Sequence, residues 1–234
     1  MWKGSYLLTY ISSPIIWAEW VAFLSSLFFI FNSGSKPLRI FPVVLGFIIL
    51  AEAIAIYMAH TYKYNGLVYN LLDFVWFPGY LLYFLLILNS KTAKGWVGFF
   101  IVSFLCFALF NFYQSTDHIW VATKTFALGS IYLSISASFL YYQISTLARH
   151  YSLRGDPQFW IATAMIFFFL PASIMMAGFD YFSVYKGHDY NLYGNAVWTT
   201  LKFLNPLHYA LLSYAFACWK IFPDKPITSS VNSR

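Results

Sequence analysis

Charge is what this chain has least of. Of its 234 residues, 14 are Lys or Arg and 8 are Asp or Glu, 9% together, against 60% apolar residues. That balance, with a mean hydropathy of +0.64, lies outside the range of soluble domains. Hydrophilic stretches are short, the longest loop being expected at roughly Asp180 to Tyr193, so no second, soluble domain is expected. Cysteine is nearly absent. Cys106 and Cys218 stand alone in apolar runs, which excludes a disulfide framework. Neither has the polar setting that a thiolate nucleophile needs, and both read as small packing residues. Internal repeats of the kind carriers show are missing. The N-terminus lacks a small-residue cleavage site and Glu19 interrupts its apolar run, so it reads as a first span rather than a signal peptide.

What fills the chain instead is seven long apolar stretches: Leu8–Phe31, Leu38–His60, Gly66–Leu88, Gly95–Tyr113, Trp120–Ile144, Pro157–Phe179 and Gly194–Trp219. Each is close to the ~20 residues a helix needs to cross ~30 Å of hydrocarbon. Inside lipid the backbone amides must be satisfied within the segment, so helices are expected. Barrel strands would alternate over ~10 residues, and runs such as FIILAEAIAIYM do not. The expectation is an all-α, polytopic membrane protein, a seven-transmembrane helix bundle forming one domain over residues 1–234. Aromatics make up 23%, many near the expected interfaces, as with Tyr62, Tyr64 and Trp96.

The net charge of +6 is distributed by side. Lys36, Arg39, Lys91, Lys94, Arg149, Arg154, Lys220, Lys225 and Arg234 flank alternate helix ends, nine against Lys3, Lys63 and Lys186 on the other side. By the positive-inside rule the N-terminus is outside and the C-terminus cytoplasmic, in the cell inner membrane. Basic loops of this kind address topology and anionic headgroups of the lipid bilayer, not nucleic acid.

An ionisable side chain at mid-bilayer costs ~2.5–3.5 kcal/mol, so such residues mark function first. Five lie within the spans: Glu19, Glu52, Asp73, Lys124 and Lys202. With the orientation above, all occupy the outer half or the midplane, and the inner half reads as nearly free of charge. Asn70 sits one turn before Asp73 on the same face. In the last span Lys202, Asn205, Tyr209 and Ser213 form a stripe, with His208 beside it. Pro78, Pro171 and Pro206 each remove a backbone hydrogen bond and favour kinks, leaving room for a cavity. Glu19, Glu52, Asn70, Asp73, Lys202, Asn205 and His208 are therefore the candidate ligand-binding residues of an outward-facing polar pocket. The competing reading snorkels the lysines to the interface and uses the acids only to fix helix packing. Ser130, Ser134 and Ser138, spaced by one turn, are assigned to close helix packing.

Named chemistries fit less well. Lys202 with Asp73 meets the minimal description of a retinal-binding opsin, but Trp198 stands one turn before the Lys where the microbial pattern has Asp. Asn205-Pro206-Leu207-His208-Tyr209 matches NPxxY, while the Arg-bearing triplet that accompanies it in G-protein-coupled receptors is missing. His208 alone of the five histidines lies deep, so no metal site is expected. No nucleophile–base pair can be assembled, and neither catalysis nor a cofactor is expected.

The segments LRIFPVVLGFIILAEAIAIY, NGLVYNLLDFVWFPGYLLYF, TFALGSIYLSISASFLYYQI, DPQFWIATAMIFFFL and LKFLNPLHYALLSYAF carry a resemblance. Together they resemble an uncharacterised seven-transmembrane protein family of Bacteroidota, over most of the chain. The resemblance highlights Glu52 and the stretch from Asn65 to Asp73. By analogy it implies a sensory or signalling module that binds a small molecule or proton from the outer side and works with a cytoplasmic signalling partner. The alternatives are a proton or small-solute transporter, an opsin-like protein and a non-catalytic membrane subunit.

Overall fold

A computed structural model describes residues 10, 12–32, 36–114, 122–147, 153–185 and 189–222. Among them the chain is all-helical, with no strand. Seven α-helices follow one another: α1 (Pro14–Asn32), α2 (Ile40–Tyr62), α3 (Gly66–Ile87), α4 (Lys91–Gln114), α5 (Thr123–Leu147), α6 (Pro157–Tyr185) and α7 (Asp189–Ile221). Short 3-10 turns precede α2 (Lys36–Arg39) and α6 (Leu153–Gly155). The expected starts at Leu8 and Trp120, and Arg149, fall outside the described residues.

The helix starts have local causes. Proline opens α1 and α6, where a missing N–H costs nothing. Asp156 caps α6, its Oδ1 accepting the Gln158 N–H at 2.9 Å. Ser90 Oγ accepts the Ala93 N–H at 3.3 Å at the start of α4. The long loop expected at Asp180 to Tyr193 is corrected: α6 is helical through Tyr185 and α7 begins at Asp189. Hydropathy marks where a helix leaves lipid, not where its backbone stops, and no Pro or Gly falls between Asp180 and Tyr185.

Among the described residues, four segments are long and apolar enough to cross a membrane: Lys36–Tyr62, Gly66–Ile87, Lys91–Gln114 and Pro157–Phe179. Pro14–Phe29 is apolar but shorter. The serines of α5 and the Lys, Asn and His of α7 make those two helices more polar than the rest. The outer surface shows what surrounds the bundle. On α4, Val97, Phe100, Phe104 and Ala108 form one buried face, while Phe99, Val102, Leu109 and Phe110 are exposed. A helix apolar on both faces needs an apolar solvent on the outer one. This is a helical membrane protein.

The helices close into a ring. Each contacts its neighbours in sequence, α1 meets α7, and α3 also reaches α5. Paired contacts fix the directions. Val44 faces Gly79 and Glu52 faces Tyr69, so α2 and α3 are antiparallel. Ala164 faces His208 and Trp160 faces Tyr214, so α6 and α7 are too. The α3 helix is central, with Phe77, Tyr80, Leu81, Tyr83 and Phe84 fully buried. Glycine permits two close approaches: a Cβ at Gly79 would sit 2.5 Å from Val44 Cγ2, and one at Gly129 2.5 Å from Phe77 Cδ1. One end of the bundle gathers Lys36, Arg39, Lys91, Lys94, Arg154 and Lys220, whereas Lys63 lies at the other.

Candidate functional site

Two carboxyls stand on neighbouring helices, each against a tyrosine from another helix. Glu19, on α1, is 2% exposed. The hydroxyl of Tyr209, on α7, donates to it, and its second oxygen, Oε2, has no partner. Glu52, on α2, is half-buried and accepts the Tyr69 hydroxyl from α3 at 3.1 Å. The two acids lie within electrostatic reach of one another, and Tyr209 within reach of both. Tyr80, about three turns beyond Tyr69 on α3, is also within reach of Glu19. Four helices thus place two acids and three phenols together. A pair of carboxyls backed by phenols offers acceptors and donors to a proton or to a positively charged group.

His208 borders this cluster. It is buried, with its ring 4.9 Å from Phe168, 5.6 Å from Phe169 and 6.5 Å from Tyr80. Nδ1 lies 3.0 Å from the Ala164 carbonyl, which only accepts, so Nδ1 carries a proton. Nε2 is buried without a partner. Asn205, one turn earlier, is half-buried with Oδ1 unpartnered.

The remaining sequence candidates separate from this group. Asn70 is buried, and its Oδ1 accepts the Ala122 N–H at 2.7 Å, tying α3 to the start of α5. Asp73 is 3% exposed with Oδ2 unpartnered. Lys202 is exposed, so it does not share an interior site with Asp73. The expected stripe on α7 is rotated: the buried side runs through Val197, Leu201, His208, Tyr209, Leu212 and Ala215. Lys202 lies about a quarter-turn off that side, because each residue advances ~100°. An opsin-like pairing of Lys202 with Asp73 therefore has no geometry here. Among the described residues, no three His, Cys, Asp or Glu side chains converge to hold a metal ion.

Sequence reading missed the tyrosines. Tyr69, Tyr80 and Tyr83 belong to the aromatic content noted above and Asp156 to the segment DPQFWIATAMIFFFL, none with a role of its own. A usable signal existed in the spacing: positions 70, 73, 76, 80 and 83 fall on one face of α3 and carry Asn, Asp, Trp, Tyr and Tyr, each with a polar atom. Among the described residues, the buried Trp76 Nε1 and the Tyr80 and Tyr83 hydroxyls have no hydrogen-bond partner. The half of the bundle expected to be nearly apolar therefore contains Tyr83 and, at its end, the buried Asp156.

No family model, curated protein or solved structure matches the chain. The class rests on the fold alone: an all-helical membrane protein with a buried acid–tyrosine cluster.

Proposed function

We propose that all seven helices span the cell inner membrane, and that the protein is a non-enzymatic sensory or signalling module. Its basic end faces the cytoplasm and its N-terminus lies outside. The observation that carries the reading is the pair Glu19 and Glu52, each held by a tyrosine from a different helix. A proton or small cationic ligand arriving from the outer side relieves the repulsion between the two carboxyls. Because Glu19 is bonded to Tyr209, occupancy bears directly on the contact between α1 and α7. Occupancy shifts the bundle only as far as it favours one helix arrangement over the other. A cytoplasmic partner then reads the change at the surface carrying Lys36, Arg39, Lys91, Lys94, Arg154 and Lys220.

The test is difference infrared spectroscopy of the reconstituted protein between two pH values. Protonated carboxyl bands are expected to change with pH, together with backbone bands, and both changes are expected to shrink in Glu19→Gln and Glu52→Gln. Spectra identical to the native protein's in both folded variants reject the reading.

A further inference from the structure

The acid cluster does not end where its carboxyls do. Tyr69, which holds Glu52, lies three residues from the start of α3, near the end of the bundle that carries Lys63. Glu52 lies within electrostatic reach of Glu19, and Glu19 accepts from the Tyr209 hydroxyl. Tyr209 and Glu19 are both within electrostatic reach of Tyr80. Tyr83 follows Tyr80 on the same face of α3, and it is within reach of Asp156 at the opposite, basic end. From Tyr69 to Tyr83 the helix rises ~21 Å, most of the ~30 Å hydrocarbon thickness.

The chemistry of these groups is that of a relay. A phenol both donates and accepts, and a carboxyl does so when protonated. The Tyr80 and Tyr83 hydroxyls, Glu19 Oε2 and Asp156 Oδ2 are all buried with no hydrogen-bond partner among the described residues. Leaving a polar atom so costs ~1–3 kcal/mol each, and the usual remedy is an ordered water bridging two or more of them. Phe41 packs beside both phenols, at 5.6 Å from Tyr80 and 4.9 Å from Tyr83, and confines the route to one side of α3. His208 Nε2, beside Tyr80, is likewise buried with no hydrogen-bond partner among the described residues.

We propose that this line of side chains, bridged by water, is a proton path through the bundle, from Tyr69 by way of Glu52, Glu19, Tyr209, Tyr80 and Tyr83 to Asp156. It goes beyond the sensing reading, which needs the acid pair alone. A proton enters at one end and leaves at the other, with no bond to any other element made or broken. Net movement carries charge and needs a counter-ion flow across the membrane.

The experiment uses the full chain in vesicles that hold a pH dye, with a potassium ionophore and a potassium gradient to set the potential. Proton entry severalfold above protein-free vesicles is expected. Tyr83→Phe keeps the ring and removes the hydroxyl, and is expected to lower entry to near the protein-free level. Tyr142→Phe, on the exposed side of α5, is expected to leave it unchanged. If Tyr83→Phe fails to fold, Asp156→Asn replaces it, since the amide still caps α6 and cannot ionise. Native entry at the protein-free level overturns the path, as does undiminished entry in the folded variant. In either case a carboxyl band that still responds to Glu19→Gln leaves the sensing reading standing.

Discussion

The hydroxyl of Tyr209 on α7 is bonded to the carboxyl of Glu19 on α1, and so the first and last helices of the ring are joined by a polar contact at its core. Apolar contacts support the same seam nearer the basic end, where Phe29 meets Phe216 at 6.2 Å and Lys220 sits 4.1 Å above the Phe28 ring. Of these three contacts, Glu19–Tyr209 is the hydrogen bond, and so the most specific in orientation. Interhelical hydrogen bonds within membranes contribute modestly, because the separated helices also find partners.

Tyr209→Phe is expected to lower stability by roughly 1 kcal/mol, and more if Glu19 is left with neither oxygen satisfied. In a double-mutant cycle with Glu19→Gln, measured by thermal unfolding in detergent, the two effects should couple by about 0.5 kcal/mol or more. Strict additivity would show that the contact contributes nothing.

Gly129 and Gly98 should part company. A Cβ at Gly129 would meet three atoms of the Phe77 ring, at 2.5, 2.6 and 2.7 Å. That ring cannot retreat, since Phe104, Phe126 and Phe169 surround it at 5.1, 5.4 and 5.8 Å. Gly129→Ala is thus expected to cost about 1–3 kcal/mol. Nothing lies within 4 Å of a Cβ at Gly98, so Gly98→Ala should be neutral or stabilising. Equal melting temperatures for the two variants would contradict the close approach of α5 to α3.

Asp156 lies outside the spans, and burial raises its carboxyl above the ordinary 3.8, against the pull of the Gln158 and Phe159 N–H groups. An acid raised on folding stabilises the fold fully below its unfolded value and loses that contribution as pH rises through its folded value. Asp156→Asn keeps the cap and removes the titration. At neutral pH the Asn variant should match or exceed the native protein, and lowering the pH toward 3.8 should move the difference in the native protein's favour. A pH-independent difference would show that burial does not govern this carboxyl.

The helices were legible in the sequence because hydropathy and span length are properties of contiguous residues. Gly66 as the first residue of α3 and Pro157 as the first of α6 fall where the apolar runs begin. Interior facing was less legible, since it depends on which neighbour each helix meets. Ser130 and Ser134 are buried, as a packing stripe requires, but Ser138 is exposed and its hydroxyl donates back to the Ser134 carbonyl at 2.8 Å. Glu19 and Glu52 were recognisable from the cost of burying a carboxyl. Tyr209 stood out only as a member of the polar stripe of the last span and Tyr69 not at all, because a phenol shows its acid partner only when the helix opposite is known.

The separation of Lys202 from Asp73 makes a final prediction that contrasts with the first. Paired in the interior, the two would depend on each other, and removing one charge would leave the other buried alone at a cost of 3–5 kcal/mol, as is typical of broken buried pairs. Here Lys202 is exposed, with a stem long enough to carry its ammonium to an interface, and Asp73 is buried without it. Lys202→Gln should therefore change stability by no more than about 0.5 kcal/mol. In a cycle with Asp73→Asn the effects should add to within about 0.5 kcal/mol, as they do for independent sites. Coupling above that level in thermal unfolding would mean that the lysine turns inward in the membrane, and would return Lys202 to the interior site.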